Sequence, residues 1–336
     1  MKGQHMHSKL DRRRFIGITA AAAGLAALPA AVNEGSLHVW NGTALGARAS
    51  LRLYHPDRPT AEAAIARCVA EIGRLERIFS LYRPGSAVSR LNRDGALSSP
   101  PFDLVRLLDT AGQIHRSTGG VFDMSVQPLW QLYSAHFAQD PDRTDLPAPK
   151  AHAAALALVG QARVTVAPGR IAFDRPGMAL TPNGIAQGYV TDRIAELLRE
   201  AGFSDVLVDL GEARALGRHP GGTPWRAALA DPGGGAPQRT VELVDSALAT
   251  SAPGGFAFDR AGRVHHIFDP RTGTPTEGRA SVSVVAPEAT LADALSTAFM
   301  QMSTAQIRRT LAAHDGVRVH VLNRDGTREE IASAAG

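Results

Sequence analysis

From Asp205 onward the chain is cut into short strand-like runs: Asp205 to Leu210, Trp225 to Asp231, Thr240 to Leu243, Ala247 to Thr250, Val264 to Phe268 and Ala280 to Ala286. Runs this short, following one another without helix-length segments between them, pair as sheet neighbours. They predict an α+β fold with mixed or antiparallel sheets and flanking helices. The first half supplies most of the helices. Leu37 to Tyr54 alternates as strands, and Thr60 to Phe79 carries Ile65, Val69, Ile72, Leu75 and Ile78 at helical spacing, with Thr60 as the predicted N-cap. A second helix is predicted from Pro101 to Thr118, stopped by Gly119-Gly120. Ala138 to Pro149 reads as a surface loop, His152 to Val159 as a short helix, and Arg163 to Val166 with Arg170 to Phe173 as a hairpin about Ala167-Pro168-Gly169. A further helix is predicted from Gly188 to Ala201.

The N-terminus reads as an address. Asp11-Arg12-Arg13-Arg14-Phe15-Ile16 followed by an Ala-rich stretch to Leu28 and the small residues Pro29, Ala30 and Ala31 has the form of a cleaved twin-arginine signal, residues 1–31, which predicts export to the periplasm. About 300 residues then remain, enough for one large domain or two intimate halves. We place that body at residues 37–330, with Gly233 to Pro237 as an internal turn-rich loop. Beyond the leader no apolar run reaches the roughly 18 residues of a membrane span, so the body is expected to be soluble. The net charge of +4 is partly carried by Lys2, Lys9, Arg12, Arg13 and Arg14, and the remaining arginines are scattered, which speaks against a nucleic-acid face. Cys68 is the single cysteine, so no intrachain disulfide forms, and its place in a helical pattern makes it a small buried hydrophobe.

Two residues near the C-terminus suggest chemistry. Asp293 and Thr297 are four apart, which on a helix stacks a carboxylate above a hydroxyl on one face, an arrangement suited to a hard cation that prefers oxygen ligands. The backbone carbonyl of Gly184, unobstructed by a side chain, is a third candidate ligand. No Walker-type phosphate loop is present.

Several blocks, taken in order, resemble the ApbE family of FAD:protein FMN transferases over Trp40 to Thr304. They are Asn41-Gly42-Thr43-Ala44-Leu45-Gly46, Phe79 to Asn92, Gly119-Gly120-Val121-Phe122-Asp123, Asn183-Gly184-Ile185-Ala186-Gln187-Gly188-Tyr189, Asp209-Leu210-Gly211-Glu212, Ala249-Thr250-Ser251, His265 to Gly273 and Ala292-Asp293-Ala294-Leu295-Ser296-Thr297. The central blocks are most similar to the exported NosX-type branch that serves nitrous oxide respiration. The resemblance implies a single large ApbE-like domain and Mg²⁺-dependent transfer of FMN from FAD to a Thr or Ser hydroxyl of an acceptor protein, with AMP released. The acceptor would be a periplasmic or membrane-bound redox subunit, NosR-like on the NosX-type assignment.

Carried over residue by residue, it implies a metal site of Asp293, Thr297 and the Gly184 carbonyl, with Ser296 nearby. Flavin and adenine contacts fall at Leu45, Tyr82, Val121, Phe122, Asp123, Thr181, Gln187 and Ile267. Tyr82 and Phe122 offer rings for stacking, with core packing as the alternative reading. His266, next to the turn Asp269-Pro270-Arg271-Thr272-Gly273, is the candidate general base for the attacking hydroxyl. The chain departs from the family where Leu45 replaces a Met, Ala87 a Glu, Thr181 an Asp and Gln187 a Lys, the last removing a charge from the phosphates' neighbourhood. Two other activities are compatible with such a site: an FAD pyrophosphatase yielding FMN and AMP, and a flavin-binding assembly factor without chemistry.

Overall fold

A computed structural model describes residues 35–229 and 239–333. The leader and the Gly233 to Pro237 loop lie outside the described residues. The chain opens with a hairpin of β1 (Ser36–Ala44) and β2 (Ala47–His55), whose pairing closes at Ala44 and Ala47. The two-residue turn Leu45-Gly46 has φ of 49° and 89°, the left-handed geometry that matches strand twist in tight hairpins. Leu45 is an unusual residue for it, and its N–H is fixed by the Glu76 carboxylate at 3.0 Å.

Helix α1 (Arg58–Phe79) starts two residues before the predicted cap. Asp57 is the N-cap instead of Thr60, because its carboxylate accepts the Thr60 N–H at 2.9 Å and Pro59 fits the first turn without a hydrogen to spare. The inward stripe is Ala61, Ala64, Cys68, Ile72, Leu75 and Ile78, whereas Val69 is 38% exposed and lies off it. Burial pushes the Cys68 thiol up to about 12, leaving it inert.

The middle of the chain holds α2 (Ala87–Asp94), β3 (Ala96–Ser98), α3 (Phe102–Ser117), α4 (Gln127–Gln139), α5 (Pro149–Leu156), β4 (Val164–Ala167) and β5 (Arg170–Phe173). The predicted hairpin is present as β4 and β5, with β3 beside them in a small three-stranded sheet. The short helix begins at Pro149, three residues before its predicted start, and α4 takes up the front of the predicted loop. Then follow α6 (Ala186–Glu200), β6 (Val206–Asp209), β7 (Ala213–Leu216), β8 (Trp225–Leu229), β9 (Arg239–Leu243), β10 (Ala247–Ser251), β11 (Arg279–Ala286), α7 (Ala289–Phe299), α8 (Thr304–Leu311), β12 (Arg318–Asn323) and β13 (Arg328–Ala332).

Eight strands form the main sheet in the order β1-β2-β6-β7-β10-β11-β12-β13, every pairing antiparallel. Because strand residues alternate sides, Val284 of β11 packs under the helices while Val285 packs against the separate β8-β9 hairpin. The helices α1, α3, α6 and α7 share the larger core on the first face. The expected α+β architecture with antiparallel sheets is what the chain forms.

The predicted strand from Val264 to Phe268 does not form. Only isolated bridges, Ala257 to His265 and Phe268 to Pro275, occur there. Side chains add to a few backbone bonds there: the His265 ring bonds the Thr276 carbonyl at 2.8 Å and receives the Ile267 N–H at 3.3 Å, and the His266 ring bonds the Phe256 carbonyl at 2.9 Å.

Helices α6 and α7 are locked together at their N-terminal ends. The Asp192 carboxylate on α6 accepts the N–H groups of Ala289 and Thr290 at 2.8 Å each, capping α7 from outside, and pairs with Arg214 of β7. Gly188 lets the helices meet: a Cβ there would stand 2.3 Å from the Ala289 carbonyl oxygen.

Candidate active site

The helical spacing that places Asp293 and Thr297 on one face is realised in α7, and that face meets the start of α6. The Asp293 Oδ2 accepts the Gly188 N–H at 3.0 Å. One turn earlier, a Cβ on Gly184 would come within 3.0 Å of the Thr297 hydroxyl, so the bare Gly184 backbone and Thr297 are in contact distance. Residues more than a hundred positions apart in sequence thus bring a carboxylate, a hydroxyl and a side-chain-free backbone segment together.

A third segment joins them from β10. The Ser251 hydroxyl lies 2.8 Å from that of Ser296 and 3.2 Å from that of Thr297. Ser296 is 1% exposed and its hydroxyl donates to the Asp293 carbonyl at 2.9 Å, so it faces the interior of the cluster. Glu212, the last residue of the Asp209-to-Glu212 block, also belongs here. It sits in the β6-β7 turn, 5% exposed, bonded by the Thr250 N–H, and it feels the charge of Asp293. Burial raises Asp293 to about 7, the charge of Asp192 adding to the rise, and burial raises Glu212 well above the usual carboxylate range, with repulsion from Asp293 and Asp209 adding to it. No Lys, Arg or His pairs with either carboxylate among the described residues. Buried carboxylates without a cationic partner are costly unless a metal ion neutralises them. The donors are one or two carboxylates, hydroxyls and a backbone carbonyl, all oxygen, which fits Mg²⁺. No Cys or His is among these donors, so they do not suit a soft metal.

The other predicted residues surround this cluster. Gln187 is 7% exposed and its amide stands 2.5 Å from where a Gly211 Cβ would be, close to Ala47 at the foot of the Leu45 turn. That turn is tied through Glu76, whose other oxygen accepts Arg83 at 2.7 Å, so the Tyr82-Arg83 loop lies alongside Leu45. Tyr82 is 59% exposed. Thr181 is held against the Asp123 segment by its N–H to the Met124 carbonyl at 2.7 Å, and the chain runs on from Thr181 to Gly184. Val121 and Phe122 are buried in the main core. The Asp123 carboxylate is occupied, accepting from Ser125 N and Gln161 N at 2.7 and 2.9 Å.

His266 stands apart, with no hydrogen bond to the Asp293 cluster among the described residues. Its Nδ1 donates to the Phe256 carbonyl, the same oxygen that accepts the His266 N–H at 3.2 Å, which leaves Nε2 as the basic nitrogen. Burial lowers its pKa to about 4, so the ring is neutral at physiological pH. Ile267, beside it, is buried, and its carbonyl accepts the Thr276 N–H at 3.0 Å.

A layered antiparallel α+β fold with a buried cluster of oxygen-bearing side chains at the junction of two helices defines the class of protein. Residues 45–321 match the ApbE family, and the chain belongs to that family. Among its relatives, the FAD:protein FMN transferase of Klebsiella pneumoniae is 29% identical over 86% of this chain and 85% of its own length. That of Treponema pallidum is 32% identical over 76% and 75%. The fold agrees with the crystal structure of the Pseudomonas stutzeri flavinyl transferase ApbE in its apo form, with a TM-score of 0.77 and 25% identity over 90% of this chain and 98% of that one. The ApbE protein of Thermotoga maritima gives 0.75 and 27% over 88% and 96%.

Proposed function

We propose that this chain is an FAD:protein FMN transferase that works with Mg²⁺ held by Asp293, Thr297 and the Gly184 carbonyl. The observation that carries the reading is the meeting of Asp293 and Thr297 of α7 with Gly188 in the first turn of α6 and with Gly184 just ahead of that helix. A cation bound there supplies charge neutralisation for a diphosphate, lowering the cost of attack on a phosphorus that already carries negative charge.

The chain's own residues account for the rest. The Asp293 carboxylate is presented by the Gly188 N–H, and the exposed Tyr82 ring next to the Leu45 turn offers a stacking surface for a flavin or adenine ring. His266 receives the proton of the acceptor hydroxyl on Nε2, its tautomer fixed by Phe256. The acceptor oxygen forms a bond to the FMN phosphorus as the bond to the AMP phosphate breaks. Gln187 in place of a lysine means that no side-chain charge from that position contributes.

The acceptor in this reading is a Thr or Ser of a membrane-bound redox subunit, NosR-like if the NosX-type likeness of the central blocks extends to biology. The Arg12-Arg13-Arg14 leader supports action in the periplasm after twin-arginine export. The test is incubation of the purified chain with FAD, Mg²⁺ and the flavin-accepting domain of such a subunit. Flavin that stays on the acceptor through denaturation, with AMP formed in equal amount, is the expected result. Free FMN with no adduct makes the protein a pyrophosphatase, and FAD binding without either product makes it an assembly factor.

A further inference from the structure

Resting on the cation reading above, we infer that Ser251 is a positioning residue that turns the Thr297 hydroxyl toward the metal. Three hydroxyls and one carbonyl form an unbroken chain: Thr297 to Ser251 at 3.2 Å, Ser251 to Ser296 at 2.8 Å, and Ser296 to the Asp293 carbonyl at 2.9 Å. Each hydroxyl has one proton, and a carbonyl only accepts. The last link therefore uses the Ser296 proton, which obliges Ser296 to accept from Ser251. Ser251, its proton spent, accepts in turn from Thr297. This is the only assignment of three protons that makes all three bonds.

The consequence falls on Thr297. Its proton is drawn toward Ser251, so its lone pairs are free on the side where the Gly184 backbone approaches. A hydroxyl binds a hard cation through a lone pair, and a proton pointing at the cation opposes it. The polarity of the chain, set at its buried end, thus prepares Thr297 as a ligand before any ion arrives. Ser296, though adjacent, has both its proton and one lone pair committed within the chain, and acts through Ser251 instead of on the ion. Outer partners of this kind typically change metal affinity by about 10- to 100-fold when removed.

The test is calorimetric titration of the purified chain with Mg²⁺, alongside thermal unfolding without metal. Ser251→Ala is expected to weaken Mg²⁺ binding by about 10- to 100-fold while the metal-free melting temperature stays within a few degrees. Ser251→Thr, which keeps a hydroxyl, is expected to restore binding, and Ser296→Ala to weaken it by removing the acceptor that sets the polarity. In flavin transfer, the Mg²⁺ concentration for half-maximal rate rises with Ser251→Ala by the same factor, while the rate at saturating Mg²⁺ changes little. Unaltered Mg²⁺ affinity in Ser251→Ala, or a loss that Ser251→Thr does not relieve, overturns the inference. Asp293→Ala in the same titration separates it from the reading beneath. Loss of binding in Asp293→Ala but not in Ser251→Ala removes only the role of Ser251, whereas unchanged binding in Asp293→Ala removes both.

Discussion

The Asp293 carboxylate receives the Gly188 main-chain N–H at 3.0 Å, so a buried acid of one helix sits on the first turn of another. The contact gives Asp293 a partial counter-charge from the helix terminus and fixes its orientation. It does not supply the full positive charge a buried carboxylate requires, and the proposed cation would make up that shortfall.

Asp293→Asn preserves the shape and can still accept from Gly188, but removes the charge. The metal-free protein is expected to melt at the same temperature or higher. Stabilisation by Mg²⁺ disappears, and flavin transfer falls by roughly 100-fold or more. A Mg²⁺-induced shift in melting temperature equal to that of the unaltered chain contradicts this.

The raised Asp293 carboxyl also sets a pH dependence. Its folded value of about 7 lies above the ordinary 3.8, so the native state holds the proton more tightly than the unfolded one. Its contribution to stability is fully present below about pH 4 and is lost as pH rises toward 7, a change of order a few kcal/mol at most. Glu212 shifts in the same direction. Mg²⁺ competes with that proton, so the gain in melting temperature on adding Mg²⁺ is expected to grow between about pH 5.5 and about pH 8. Melting curves with Mg²⁺ and with a chelator across this range check it, and a pH-independent gain speaks against it.

Gly188→Ala sets two effects in opposition. Alanine favours a helix interior by about 1 kcal/mol over glycine. Its Cβ, however, would meet the Ala289 carbonyl at 2.3 Å, backbone against side chain, with no flexible group to yield. Separation of α6 from α7 is expected to win, with a net loss of about 1 to 3 kcal/mol in chemical denaturation and weaker Mg²⁺ binding. Increased stability means that the helices do not meet as closely as described.

His266→Gln removes the basic nitrogen while retaining a group able to bond the Phe256 carbonyl. Transfer is expected to slow by roughly 10²- to 10⁴-fold, with FAD affinity and melting temperature little altered. Rates near those of the unaltered chain assign the proton to another group.

The helices with strong periodicity were legible from sequence: α1, α3 and α6 lie where apolar spacing places them, and glycines mark several of their ends. Most of the short strands from β4 to β11 were legible too, but several short elements were not. α2 is set by the Ser86 cap and Gly95 at φ 72°, and β7, β12 and β13 are strands only because neighbours complete them. His265 and His266 misled because their alternation looks like a strand, whereas both rings bond backbone carbonyls. For the candidate site, the spacing placed Asp293 and Thr297 on one helix face, and their selection as metal ligands came from the family resemblance. Glu212 and Ser251 stood in motifs without a role, since only the sheet pairing brings β10 and the β6-β7 turn to α7.

The most direct test of the cation site is a crystal of the chain grown with FAD and Mn²⁺ in place of Mg²⁺, read by anomalous scattering. A peak about 2.0 to 2.3 Å from an Asp293 carboxylate oxygen, the Thr297 hydroxyl and the Gly184 carbonyl, in contact with the diphosphate, is the predicted result. A peak bound elsewhere, or a Thr297 hydroxyl turned away from the ion, would contradict it.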